Sequence, residues 1–222
     1  MIKNLMVLSE RCSGSHFVQY AITENFNINY LKNHDENRHF FGHENDTYTE
    51  EEINNTLFVC VVRDSIEWID SFFKKLHYIP LDNRRNIKDF INNEWYSTYE
   101  SINKIGQEII EDRNIITKER YKNIFDLRKN KNNYFLNLYN KYKNVLILKY
   151  EDLRDDYENS LNIIKNKYNL QQKNIEYLKI IKYKGIYDAL YFRKSVLISD
   201  KIKEFIKKNV DIEQEKKLGY LL

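Results

Sequence analysis

Leu57-Phe58-Val59-Cys60-Val61-Val62 is six apolar residues in a row, mostly β-branched or aromatic, with no polar residue between them. A strand with one wet face would alternate, so an unbroken run predicts a strand buried on both faces, as in a parallel sheet covered by helices on either side. Arg63-Asp64-Ser65 bounds the run, and Ile66 to Leu76 then repeats apolar residues at helical spacing, with Asp64 or Ser65 placed to cap that helix. Leu5-Met6-Val7-Leu8 and Val145-Leu146-Ile147-Leu148 have the same strand character. Strands are expected at about 3–8, 37–41, 57–62 and 145–149, between long amphipathic helical stretches, which places the chain in the α/β class.

The first strand carries a chemical signal. Leu5 to Leu8 runs into the polar turn Ser9-Glu10-Arg11-Cys12-Ser13-Gly14-Ser15 and then into a helix beginning His16-Phe17-Val18. Small residues and free backbone N–H groups at a helix N-terminus favour an anion, and Arg11 adds a full charge. Gly14 lets a backbone approach its ligand closely. The turn is neither a Walker A loop nor the three-glycine dinucleotide fingerprint. In the second unit Arg63 falls at the carboxyl end of its strand, the edge where open α/β sheets bind ligands. Ser71 follows two helical turns later on the same face, so both can meet one anion.

Taken together, these elements resemble the sulfotransferase superfamily, which transfers a sulfuryl group from 3'-phosphoadenosine 5'-phosphosulfate (PAPS). Arg11-Cys12-Ser13-Gly14-Ser15 matches the loop that holds the 5'-phosphosulfate, with His16 following it. Arg63 with Ser71 eight positions on matches the pair that holds the 3'-phosphate. Tyr150-Glu151-Asp152-Leu153, closing the strand at 145–149, matches a third motif, and the matches come in family order over roughly residues 5–168. Lys-Leu-Gly-Tyr near the end resembles the tails of small microbial members. The resemblance implies a three-layer, P-loop-like fold with a central parallel sheet flanked by helices, PAPS as cosubstrate and PAP as product. It also implies a late basic loop over the 3'-phosphate, for which Lys184-Gly185 is the candidate.

Sulfuryl transfer needs a cation for the leaving phosphate, a role for Arg11, and a base for the acceptor hydroxyl. Histidine suits the base. His39, in the expected second strand after Arg38, is the first candidate, with His43, His16 and Glu44 as alternatives. No third ligand accompanies His39 and His43, so no metal site is expected. Further helices are expected over 17–26, 87–110, 121–142, 157–168, 172–181 and 199–208. In 87–110, Phe90, Trp95, Tyr99, Ile102 and Ile105 would mostly face the core. In 121–142, Arg128 and Lys131 are expected on a solvated charged face.

Composition bounds the rest. With 222 residues, five glycines and one proline, the chain has no visible linker, and a single domain over 1–222 is expected. A net charge of +3 gives no field for general nucleic-acid binding. Two cysteines, no signal-like leader and no long apolar stretch point to a cytoplasmic protein without a membrane span. The acceptor would be a hydroxyl or amine of a small molecule or glycan. The alternatives are a P-loop-like nucleotide kinase, against which the missing Walker lysine counts, and a non-catalytic nucleotide-binding protein.

Overall fold

The computed structural model describes residues 2–31, 38–42, 48–182, 190 and 196–220. Four strands, β1 (Asn4–Ser9), β2 (Asn29–Tyr30), β3 (Thr56–Val62) and β4 (Val145–Lys149), form one parallel sheet in the order β2-β1-β3-β4. The helices among the described residues are α1 (Ser15–Asn25), α2 (Glu50–Asn55), α3 (Ser65–Lys75), α4 (Ile87–Asn92), α5 (Ile124–Lys141), α6 (Tyr150–Asp155), α7 (Tyr157–Tyr168), α8 (Asp200–Asn209) and α9 (Ile212–Lys217).

The unbroken apolar run has its expected cause, because every residue of β3 is buried. Leu57, Val59 and Val61, with Leu5 and Val7, pack against Val18 and Ile22 of α1 and Leu161 and Ile164 of α7. On the other face Phe58, Cys60 and Val62 meet Phe135 and Leu138 of α5, and Leu218 and Tyr220 beyond α9. Burying one such side chain contributes about 1.5–3 kcal/mol, so the sheet depends on both covers. The two covers make the α/β architecture a sheet flanked by helices. A third cluster joins Trp68 and Phe72 of α3 to Phe90, Trp95, Tyr121 and Ile206.

Four expectations need correction. The second strand is Asn29–Tyr30, and residues 38–42 form a turn instead. Asn29 N–H donates to Lys3 O and Leu31 N–H to Leu5 O, so this earlier segment takes the edge of β1. The helix expected over 87–110 stops at Asn92, and the chain turns outward into bridges pairing Trp95 with Tyr121 and Thr98 with Glu108. Phe90 and Trp95 are buried as expected, but Ile102 is 93 % and Ile105 72 % exposed. The segment 172–181 is irregular rather than helical, and the Asn25 side chain accepts from Leu178 N–H and donates to Leu178 O, a job a helical main chain would do for itself. Arg128 and Lys131 are buried rather than solvated. They occupy the 3–4 spaced stripe of α5 that also carries Ile124, Leu127 and Phe135, and they turn inward to carboxylates on other elements.

Candidate functional site

The order β2-β1-β3-β4 reverses direction at β1, so the carboxyl ends of β1 and β3 flank a topological switch point, where open α/β sheets hold ligands. Ser9 is in register with Val61, so the loop after β1 and Arg63 after β3 start at the same level. Arg63 Nη1 donates to Cys12 O at 2.9 Å and ties the two together. Within the loop Cys12 (φ 64°) and Gly14 (φ 93°) are left-handed, and Ser13 N–H bonds back to Glu10 O at 3.3 Å. Gly14 is the N-cap of α1 and no side chain caps that helix. Its first-turn amides thus keep their partial positive charge at the loop.

Gly14 has a second reason to be glycine. A Cβ there would stand 2.3 Å from Tyr150 Cδ2, so the close approach it permits is by an aromatic ring. Tyr150 opens the third motif, and its ring lies under Arg63, with Cζ 4.8 Å from the centroid, and under Arg154 at 5.4 Å. Glu151 accepts from Asp64 N–H and from Tyr220 O–H, both at 3.0 Å, which brings the C-terminal Gly-Tyr to the same sheet edge. Burial raises the Glu151 carboxyl above its ordinary range. Asp64 caps α3 through Ile66 and Glu67 N–H.

Arg11 is placed differently from the expectation that it lies on a leaving phosphate. It is 2 % exposed and turned into the protein. Its Nε donates to Glu10 at 2.7 Å, Nη1 to Ser97 Oγ at 2.7 Å and Nη2 to Asp112 at 2.8 Å. Lys131 closes the cluster, paired with Asp112 and with Glu10 at 2.6 Å. Burial alone would raise the Glu10 carboxyl, but Lys131 and Arg11 pull it down to about 2. Arg128 makes a two-point pair with Glu215 and donates to Arg63 O at 2.9 Å, bracing the end of β3.

His39 lies beside the end of β1, with Nδ1 donating to Ser9 O at 2.9 Å, which leaves Nε2 as an acceptor. Burial pushes its pKa down to about 3, so the ring is neutral but a weak base. Ser71 is half-buried on α3, on the face that also carries Glu67, which accepts from Arg63 and Arg154. Ser13 and Ser15 are 4 % and 5 % exposed in and after the loop, and His16 is half-buried in the first turn of α1. Burial pushes the Cys12 thiol up to about 11, so it stays protonated at neutral pH. His43, Glu44 and Lys184 lie outside the described residues.

The structure therefore brings Ser13, Gly14, Ser15, His16 and Arg63 to one edge, with His39 close by at Ser9. Sequence reasoning missed Asp112 and Glu215. The charged partners of Asp112 and Glu215, namely Arg11, Lys131 and Arg128, are 19 to 101 residues away along the chain, and no local pattern announces them. Arg128 and Lys131 did carry a signal, since both sit at inward positions of an otherwise apolar helical stripe. No family model matches the chain, and no match was found among curated proteins or solved structures.

Proposed function

We propose that the protein is a PAPS-dependent sulfotransferase with a P-loop-like nucleotide site, acting on a hydroxyl or amine of a small molecule or glycan. The observation that carries this reading is the convergence of the β1–α1 loop, Arg63 and the Tyr150–Glu151 corner at the switch point of a parallel sheet. In this reading the amides at the N-terminus of α1, with Ser13 and Ser15, hold the 5'-phosphosulfate, and Arg63 and Ser71 hold the 3'-phosphate. The acceptor oxygen bonds to sulfur as the bond from sulfur to the 5'-phosphate oxygen breaks, and the acceptor proton goes to a base, with His39 the first candidate. PAP leaves. Arg11, committed to Glu10 and Asp112, positions the loop, while α1 and Arg63 face the developing charge.

Two observations favour a second reading, a nucleotide-binding protein without catalysis: the enclosure of Arg11 and the weakly basic His39. The test begins with binding. PAP should bind roughly 10- to 100-fold more tightly than AMP by calorimetry, because a charge-assisted hydrogen bond to the 3'-phosphate contributes about 1.5–3 kcal/mol. Arg63→Ala should erase that difference. Equal affinities in the wild type would sink the sulfotransferase reading with its 3'-phosphate pair, and PAP preference without transfer from labelled PAPS to any host-type acceptor fraction would select the second.

A further inference from the structure

His39 is followed by Phe40, whose ring meets Tyr78 edge to face, with centroids 5.9 Å apart and planes at 79°. Both residues are half-buried. From inside the protein the buried Arg11 and Lys131 lie 5.6 and 5.8 Å from the Phe40 ring, so its outer side is the one left open. Two rings nearly at right angles make a corner, and a third flat ring seated there stacks on one and meets the other edge-on, both favoured arrangements. The corner is fixed to the carboxyl end of β1, because His39 Nδ1 donates to Ser9 O and Lys131 Nζ to His39 O. Tyr78 is held as firmly. It is left-handed (φ 58°), as is Leu76 (φ 48°), a backbone that residues other than glycine seldom adopt and that collects at ligand clamps. Arg11 Nη1 donates to His77 O at 3.4 Å and Thr98 N–H to Tyr78 O at 3.0 Å, which keeps the segment in that shape.

The charge beside the corner is already answered. Glu100, the carboxylate bonded to Tyr78 N–H, also accepts from Arg84, both at 3.0 Å, so a cationic amine finds that partner taken. Nε2 of His39 has no hydrogen-bond partner among the described residues. We propose that Phe40 and Tyr78 form the acceptor subsite and that the acceptor is a neutral phenol, its ring in the corner and its hydroxyl at His39 Nε2. The assignment rests on the sulfotransferase reading and narrows its acceptor. The phenol oxygen bonds to sulfur, the bond from sulfur to the 5'-phosphate oxygen breaks, and the phenol proton passes to Nε2 and on to solvent, giving an aryl sulfate and PAP. The weak basicity of His39, with its pKa pushed down to about 3, suits the same acceptor. Such a base takes a proton more readily from a phenol, near pKa 10, than from an aliphatic hydroxyl about as weakly acidic as water, near 15.7.

The experiment uses the full chain with 2-naphthol as probe and cyclohexanol and methyl glucoside as controls. In wild-type protein the ring signals of Phe40 and Tyr78 should move on naphthol addition and stay still with either control, a readout that does not depend on any variant folding. Tyr78→Leu and Phe40→Leu should each weaken naphthol binding roughly 3- to 10-fold, and Tyr78→Phe, which keeps the ring, should restore it. With labelled PAPS, sulfate should pass to naphthol in preference to both controls. Ring signals indifferent to naphthol, or equal naphthol affinity in Tyr78→Leu and wild type, would overturn the proposal. Transfer to cyclohexanol or methyl glucoside but not to naphthol, in a protein that prefers PAP to AMP, would overturn the phenol assignment and leave the sulfotransferase reading standing. Naphthol seated at the corner of a protein that binds PAP and AMP equally and transfers nothing would overturn the sulfotransferase reading instead, and with it the role of the corner as an acceptor subsite.

Discussion

Gly14 carries two demands at once, a left-handed backbone and room for the Tyr150 ring. An L-residue pays about 1 kcal/mol for the first, and a ring displaced by an added methyl adds a further 1–3 kcal/mol. Gly14→Ala is therefore expected to lower stability by about 2–4 kcal/mol in urea unfolding. In a Tyr150→Ala background the steric part should vanish, giving a coupling of about 1–3 kcal/mol in the double-mutant cycle. Additive costs would mean that backbone conformation alone requires the glycine. The same geometry changes how a bulky substitution at Gly14 is to be interpreted, since loss of nucleotide binding in Gly14→Val would follow from displacing Tyr150 and, through it, Arg63, as well as from blocking a phosphate.

At the scale of elements, α5 joins the sheet's carboxyl edge to the C-terminal helix through Arg128, which grips Glu215 and the Arg63 carbonyl. Removing one partner of a buried pair strands the other, so Arg128→Met should cost about 3–5 kcal/mol, and adding Glu215→Leu should restore most of it. A loss below 1 kcal/mol in the single variant would contradict that role. The elements differ in how far the chain announced them. β1, β3 and β4 were legible because burial on both faces leaves an unbroken apolar run, and α3, α7 and α8 because their apolar residues keep helical spacing, with Asp64 capping α3. The 87–110 region misled because Phe90, Ile91 and Trp95 keep helical spacing by chance across a chain that has already left α4, with Trp95 held by Tyr121. The loop, Arg63 and the Tyr150 corner were legible as motifs in sequence. Their mutual contacts were not, and neither was the turn of Arg11 inward, because the partners come from stretches with no local link to it.

Across the whole molecule, acid should act in two stages. His39 titrates near 6.5 when unfolded and near 3 when folded, and Glu10 near 4.5 and 2 respectively. For both groups the unfolded chain binds protons first, so stability falls as pH falls. Of these two groups His39 acts between pH 6.5 and 4.5, at up to about 1.4 kcal/mol per pH unit, and Glu10 joins below 4.5. Glu151 works in the opposite sense, since burial raises its carboxyl. His39→Gln should flatten the upper part of the pH–stability curve measured by urea unfolding, and an unaltered slope would rule out the buried neutral ring as its source. Among the described residues no helix is long and apolar enough to cross a membrane.

The buried cluster of Glu10, Arg11, Asp112 and Lys131 also sets an order of events during synthesis. Lys131 lies 121 residues after Glu10, a gap that a ribosome making 5–20 residues per second takes roughly 6–24 s to cross. For that interval the nascent β1 and its loop have their charges but not the full set of distant partners, Ser97, Asp112 and Lys131, that later encloses them. The loop after β1 is therefore enclosed only well after it is translated, although it is among the first segments to be made.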